Sequence, residues 1–130
     1  MKKKGYYEYS NGIYPRKLWV HIERDLDELI DSCFDGCDYS DVDYCGATYD
    51  AATRKDNDSY GVLVSFKCLK DMTMNVCCHE ASHACDAIED AIGMKHGGES
   101  SAYLIGWIAS CINKARLGIG DFIEIKDIKE

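Results

Sequence analysis

At 130 residues the chain is the size of one domain, long enough for a single core but with little room for a separate specificity module. Its 15 basic and 23 acidic residues give a formal charge of −8, which argues against a nucleic-acid backbone or an anionic membrane as the main partner. The one basic cluster, Lys2-Lys3-Lys4, reads as a solvated terminus. No apolar run has the length of a membrane span or the shape of a signal-peptide core, so the expected setting is cytoplasmic.

In chain order, a tyrosine-rich start, Gly5 to Tyr14, leads into Arg16–Ile22, whose β-branched and aromatic residues predict a strand. Asp25–Phe34 reads as a short helix ended by Gly36, and the acidic stretch Cys37 to Tyr44 as a solvated loop without the ordered ligands of a calcium loop. Ala47–Arg54 and Tyr60–Lys67 flank the polar turn Lys55-Asp56-Asn57-Asp58, which predicts an antiparallel hairpin. The eight cysteines follow no recognised zinc ribbon or knuckle. Cys77, Cys78, Cys85 and Cys111 fall in apolar helical stretches and are expected to be reduced core residues, which leaves Cys33, Cys37 and Cys45 as candidates for a second metal or a disulfide.

The hairpin feeds the most informative segment, a helix over Asn75–Ala91 that carries His79-Glu80-Ala81-Ser82-His83. Residues four apart lie about 40° apart around a helix axis, so the H-E-x-x-H spacing presents two imidazoles to one metal ion. A carboxylate next to them that does not ligate can take a proton from water at the metal, which makes Glu80 the candidate general base. Asp71 is the expected N-cap and Gly93 the C-terminal stop. Met74, Cys78, Ala81, Cys85, Ile88 and Ile92 form one apolar stripe, and His79, His83 and Asp86 a separate polar one.

A zinc site of this kind needs a third protein ligand and one open position. The candidates are Asp86, His96 and Glu99. Asp86 starts another turn along the same helix and reads as a group that orients an imidazole, or as a surface charge. His96 reads as a substrate or oxyanion contact, or as a solvated loop residue. Glu99 follows the Gly97-Gly98 turn and opens a second apolar helix, Glu99 to Arg116, which can run back antiparallel to the first; it is the preferred ligand, the alternative being an N-terminal carboxylate favoured by the helix dipole. Tyr103, one turn on, can point its hydroxyl at a developing oxyanion or be structural. Gly106 within that helix suggests close backbone approach, and Asp121–Glu130 a late strand or docked tail.

His-Glu-Ala-Ser-His followed by Gly-Glu-Ser-Ser-Ala-Tyr-Leu-Ile-Gly-Trp-Ile resembles the gluzincin branch of zincin metallopeptidases. The chain is more closely similar to small uncharacterised H-E-x-x-H proteins encoded by phages and mobile elements of gut bacteria such as Bacteroidales. That similarity rests on Pro-Arg-Lys-Leu-Trp-Val at Pro15–Val20, Gly-Val-Leu-Val at Gly61–Val64 and the Glu-x-x-Ala-Tyr-Leu-x-Gly-Trp-Ile helix, and it covers most of Pro15–Arg116. The resemblance implies zinc held by His79, His83 and Glu99 with Glu80 as base, and host cytoplasm or a virion as the setting. It also implies that Tyr60–Lys67 is the sheet-edge strand over the cleft, open to a peptide by strand addition; the residues themselves fit a plain core strand equally well. Tyr103 stands where gluzincins often have an aspartate that steadies a ligand histidine.

The expectation is therefore a single α+β domain over residues 1–130, a small antiparallel or mixed sheet packed on the H-E-x-x-H helix, with a second helix completing the metal site. The expected function is a zinc-dependent hydrolase, a small intracellular metallopeptidase acting on a peptide or protein. The alternatives are a noncatalytic zincin-like phage structural or host-interaction protein stabilised by zinc, and a metal-free binding protein.

Overall fold

The computed structural model describes residues 4–37 and 45–125. Its elements are β1 (Gly5–Ser10), β2 (Lys17–Ile22), α1 (Leu26–Cys33), β3 (Phe34–Asp35), β4 (Gly46–Arg54), β5 (Tyr60–Phe66), α2 (Met74–Ile92), α3 (Gly98–Arg116) and β6 (Asp121–Glu124). They form an α+β fold around one mixed six-stranded sheet in the order β3-β4-β5-β2-β1-β6. Only the β2–β5 pair is parallel, which requires the long crossover through α1, β3 and β4. No helix among the described residues is long and apolar enough to cross a membrane.

Alternation along the two central strands sorts the core into two layers. Leu18 and Val20 of β2, with Val62, Val64 and Phe66 of β5, pack under α2 and α3. Trp19 and Leu63 point the other way, onto Leu26, Leu29 and Ile30 of α1 and onto Phe34. Burial on both faces explains why β2 and β5 read as near-continuous apolar runs. It also decides between the two readings of Tyr60–Lys67: the edge assignment fails and the core-strand reading holds, because β5 is hydrogen-bonded to β4 on one side and β2 on the other.

Two polar side chains interrupt the α1-side layer. His21 and Ser65 are register partners on β2 and β5, and His21 Nδ1 lies 2.8 Å from Ser65 Oγ while Nε2 lies 2.8 Å from Asp25 Oδ1. The Asp25–His21–Ser65 order imitates a nucleophile relay, but Ser65 is 0% exposed, so the chain is a buried tie between the sheet and the start of α1. Its acid, Asp25, is held below the ordinary carboxylate range, chiefly by its hydrogen bond with His21.

The tyrosine-rich start, read as a lead-in, contains strand β1, and the tail forms β6, paired antiparallel to β1. Helix α1 and the hairpin β4–β5 match their expected spans to within a residue or so. The eight cysteines are all free thiols. Cys85 and Cys111 are buried as expected, whereas Cys78 is exposed and Cys77 only half-buried, a departure from their core assignment. Cys37 to Tyr44, apart from Cys37, lies outside the described residues.

Candidate metal-binding cleft

Helix α2 begins at Met74, not after Asp71. Thr73 is the N-cap, its Oγ1 accepting from the Val76 N–H at 3.2 Å, while Asp71 ends a 3-10 turn and accepts from the Cys68 thiol. The helix stops at Gly93, whose φ of 71° is left-handed backbone that favours glycine. Ala81, Ala84, Cys85 and Ile88 make up much of its buried face, whereas Met74 at the first turn is exposed. The small residues let α2 lie close to both β4 and α3.

His79 and His83 come out on the exposed side as the spacing requires. Their Nε2 atoms are 3.2 Å apart, with the rings edge to face. Two imidazole nitrogens bound tetrahedrally to one zinc at 2.0–2.1 Å would stand about 3.3 Å apart; 3.2 Å is equally the length of the hydrogen bond that the two rings make here. The cleft around them has a volume of about 480 Å³; its far wall is Gly46, Ala47, Thr48 and Asp50 of β4, and Asp86 and Asp90 extend its near wall. Among the described residues no lysine or arginine lines it, so its carboxylates favour a cation.

Glu80 lies about 100° around the helix from His79 and points at β4. It is 5% exposed. Thr48 Oγ1 donates to Glu80 Oε1 at 2.6 Å, and a Cβ on Gly46 would stand 2.8 Å from Glu80 Cγ. Gly46 therefore makes room for the glutamate and Thr48 fixes its rotamer. Oε2 makes no hydrogen bond to any described residue. Neither Thr48 nor Gly46 was a sequence-predicted site residue, because their role depends on β4 crossing over α2.

Glu99 sits in the first turn of α3 and is exposed. The start of α3 packs beside Ser82, Cys85, Asp86 and Glu89, on the flank of α2 away from β4. Glu99 does not line the cleft, and among the described residues His79, His83 and Glu99 do not converge to within 4.8 Å as a trio. Tyr103 is 75% exposed and its hydroxyl makes no hydrogen bond to a described residue. Gly106 is exposed, and a Cβ there would meet nothing within 4 Å, so the close approach expected at this glycine is absent.

His96 is tied into a knot of carboxylates. Nδ1 lies 2.7 Å from Glu89 Oε1 and 3.6 Å from Asp86 Oδ1, and Nε2 lies 2.8 Å from Asp90 Oδ1. Hydrogen bonds to Glu89 and then Asp90 push its pKa above the usual histidine value. Glu89 is 1% exposed. Burial pushes its carboxyl up, but hydrogen bonds from Ser101 and His96 outweigh that and hold it below the ordinary range. Ser101, on α3, donates to Glu89 Oε2 and accepts from the Gly97 N–H at 2.7 Å. The sequence did carry a signal for Glu89, which falls four residues after Cys85 and next to Ile88 on the buried side.

No family model, curated protein or solved structure matches this chain.

Proposed function

We propose that the protein is a zinc-dependent hydrolase, a small metallopeptidase, with His79 and His83 as metal ligands and Glu80 as general base; Glu99, outside the cleft as the helices stand, completes the shell only on a shift of the start of α3 towards His83. The observation that carries this reading is the 3.2 Å separation of the two Nε2 atoms beside a glutamate seated from the opposite wall. When bound, zinc supplies Lewis acidity, polarising a scissile carbonyl and making water a stronger acid. Glu80 does the proton work. With Oε1 tied to Thr48, Oε2 remains to take a proton from water and hand it to the leaving amine. Tyr103, exposed and with no hydrogen bond from its hydroxyl to a described residue, is the candidate donor to the oxyanion.

A peptide substrate would lie along the wall of the cleft that β4 supplies, beside Gly46, Ala47 and Thr48.

The second reading is a noncatalytic module stabilised by zinc. It is favoured by the exposure of Glu99 and by the Thr48–Glu80 bond, which is a sufficient structural reason for a glutamate at this place. Glu80→Gln separates the two. A catalytic base predicts unchanged zinc stoichiometry and thermal midpoint with loss of cleavage across a quenched-fluorescent peptide library. A variant that cleaves as fast as the parent would sink the mechanism, and a parent that holds zinc and cleaves nothing would favour the scaffold.

A further inference from the structure

We propose that the end of the sheet where β2 and β5 begin carries a binding site for a small organic phosphate, a phosphomonoester joined to a planar ring. This goes beyond the hydrolase reading and does not depend on it. A cavity of about 480 Å³ lies there, lined by Ser10, Tyr14, Arg16, Lys17, Ser59 and Tyr60 together with the turn around Ile13. Small-ligand pockets usually measure about 300–1,000 Å³, so the space is of the right size. Parallel pairing sets Lys17 opposite Gly61, and the residues before them, Arg16 and Tyr60, leave the sheet side by side. The glycine is required: a Cβ on Gly61 would collide with the Lys17 carbonyl oxygen and stand 2.8 Å from the Trp19 ring. With the strands this close, the Arg16 guanidinium lies over the Tyr60 ring, 5.6 Å from its centroid.

Charge and donors point to a phosphate. In a chain of formal charge −8, this lining holds two cations and, among the described residues, no aspartate or glutamate. Arg16 pairs with no carboxylate among the described residues. Its one hydrogen bond runs from Nη1 to the Pro15 carbonyl at 2.8 Å, which leaves the rest of the guanidinium fork for an oxyanion. Lys17 Nζ donates to Ser10 Oγ at 2.6 Å and lies 3.8 Å from Glu8 Oε2, on a carboxylate whose other oxygen is taken by Trp19 and Arg54. Ser10 accepts from Lys17 and so keeps its own proton to donate. A dianionic phosphate matches two cations and a hydroxyl donor better than a carboxylate does. The rings of Tyr14 and Tyr60, with Ile13 at 80% exposed, supply apolar walls for a planar body. The His79–His83 cleft is its electrostatic opposite and lies at the far end of the same strand, since Tyr60 pairs with Thr53 and Phe66 with Gly46. Six strand steps of about 3.3 Å separate the two sites by roughly 20 Å.

The test uses the full chain, reduced and chelator-treated so that no metal holds the phosphate, in phosphate-free buffer. Adenosine monophosphate and free phosphotyrosine are titrated against amide NMR signals, with inorganic phosphate and adenosine as the separated halves of the first. The expected result is saturable shifts confined to residues 10–17 and 59–60 with at least one of the two ring phosphates, and binding of either half at least about tenfold weaker. Arg16→Lys keeps the charge and loses the fork, so it should weaken binding about tenfold, and Arg16→Ala should abolish saturation. Tyr60→Ala should weaken the ring phosphate and leave inorganic phosphate unchanged. Arg16 and Tyr60 lie outside both hydrophobic clusters, so these variants should keep the parent thermal midpoint. No saturation with either ring phosphate, shifts centred on the His79–His83 cleft, inorganic phosphate binding as tightly as the ring phosphates, or equal binding by the parent and Arg16→Ala would each overturn the proposal.

Discussion

Two buried glutamates on one helix have opposite surroundings. Glu80 faces β4 and takes one side-chain bond from a described residue, the neutral Thr48 hydroxyl to Oε1, and its second oxygen has no bond to any described residue. Glu89, two and a half turns on, faces α3 and has both oxygens occupied, one by Ser101 and the other by His96. A buried carboxylate with an unused oxygen can still accept a proton, whereas one satisfied on both sides is fixed as an anion and holds whatever cation approaches it. The difference comes from the neighbouring element, not from the helix.

The largest contrast should come from exchanging each for glutamine. Glu80→Gln should cost at least about a hundredfold in hydrolysis with little change in urea midpoint, since it removes the proton acceptor alone. Glu89→Gln should leave the cleft chemistry in place and destabilise the fold by about 2 kcal/mol, because it removes a charge-assisted bond to His96 and disturbs the one to Ser101. Urea unfolding and peptide turnover on the same two samples decide the matter. If both variants lose stability equally and neither changes turnover, the two glutamates are the same kind of residue.

Gly46→Ala sharpens the comparison from the β4 side. The new methyl group meets Glu80 Cγ, so the variant should lose about 1–3 kcal/mol and part of its turnover while still binding zinc. Thr48→Val should cost about 1 kcal/mol and lower turnover, and Thr48→Ser should restore both. Identical turnover in parent and Thr48→Val would mean that the hydrogen bond does not position the base.

The smallest effect is a pH slope in chelator-treated protein. The folded-state pKa of His96 is raised, so its contribution is complete below the ordinary histidine value and lost as pH rises through the raised one. Glu89 is lowered, so its contribution is present above the ordinary glutamate value and lost as pH falls through the lowered one. Stability should therefore fall as pH rises above the ordinary histidine value, and His96→Ala should flatten that limb. An unchanged slope in His96→Ala would show that the imidazole does not carry it.

What could be read in the sequence was local. The 3.6-residue period of α2, the polar turn between β4 and β5 and the short α1 each depend on neighbours within a few residues. The pairing of His79 with His83 is likewise a property of one helix. What could not be read depends on distant partners. The central place of β5 requires parallel pairing with β2 forty residues earlier, and β1 is a strand because β2 and β6 flank it. The seating of Glu80 requires Gly46 and Thr48 from another element. The knot at His96 requires the turn after α2 to fold back on it.

The central claim is that His79 and His83 share one ion at an open site whose third ligand is Glu99. The most direct measurement is the coordination shell by X-ray absorption of the zinc-loaded protein. The account predicts two imidazole nitrogens, one carboxylate oxygen and one exchangeable oxygen, with Glu99→Ala removing the carboxylate and Asp86→Ala leaving it in place. A shell of four protein ligands, sulfur in the shell, or loss of the carboxylate with Asp86→Ala and not with Glu99→Ala would contradict it.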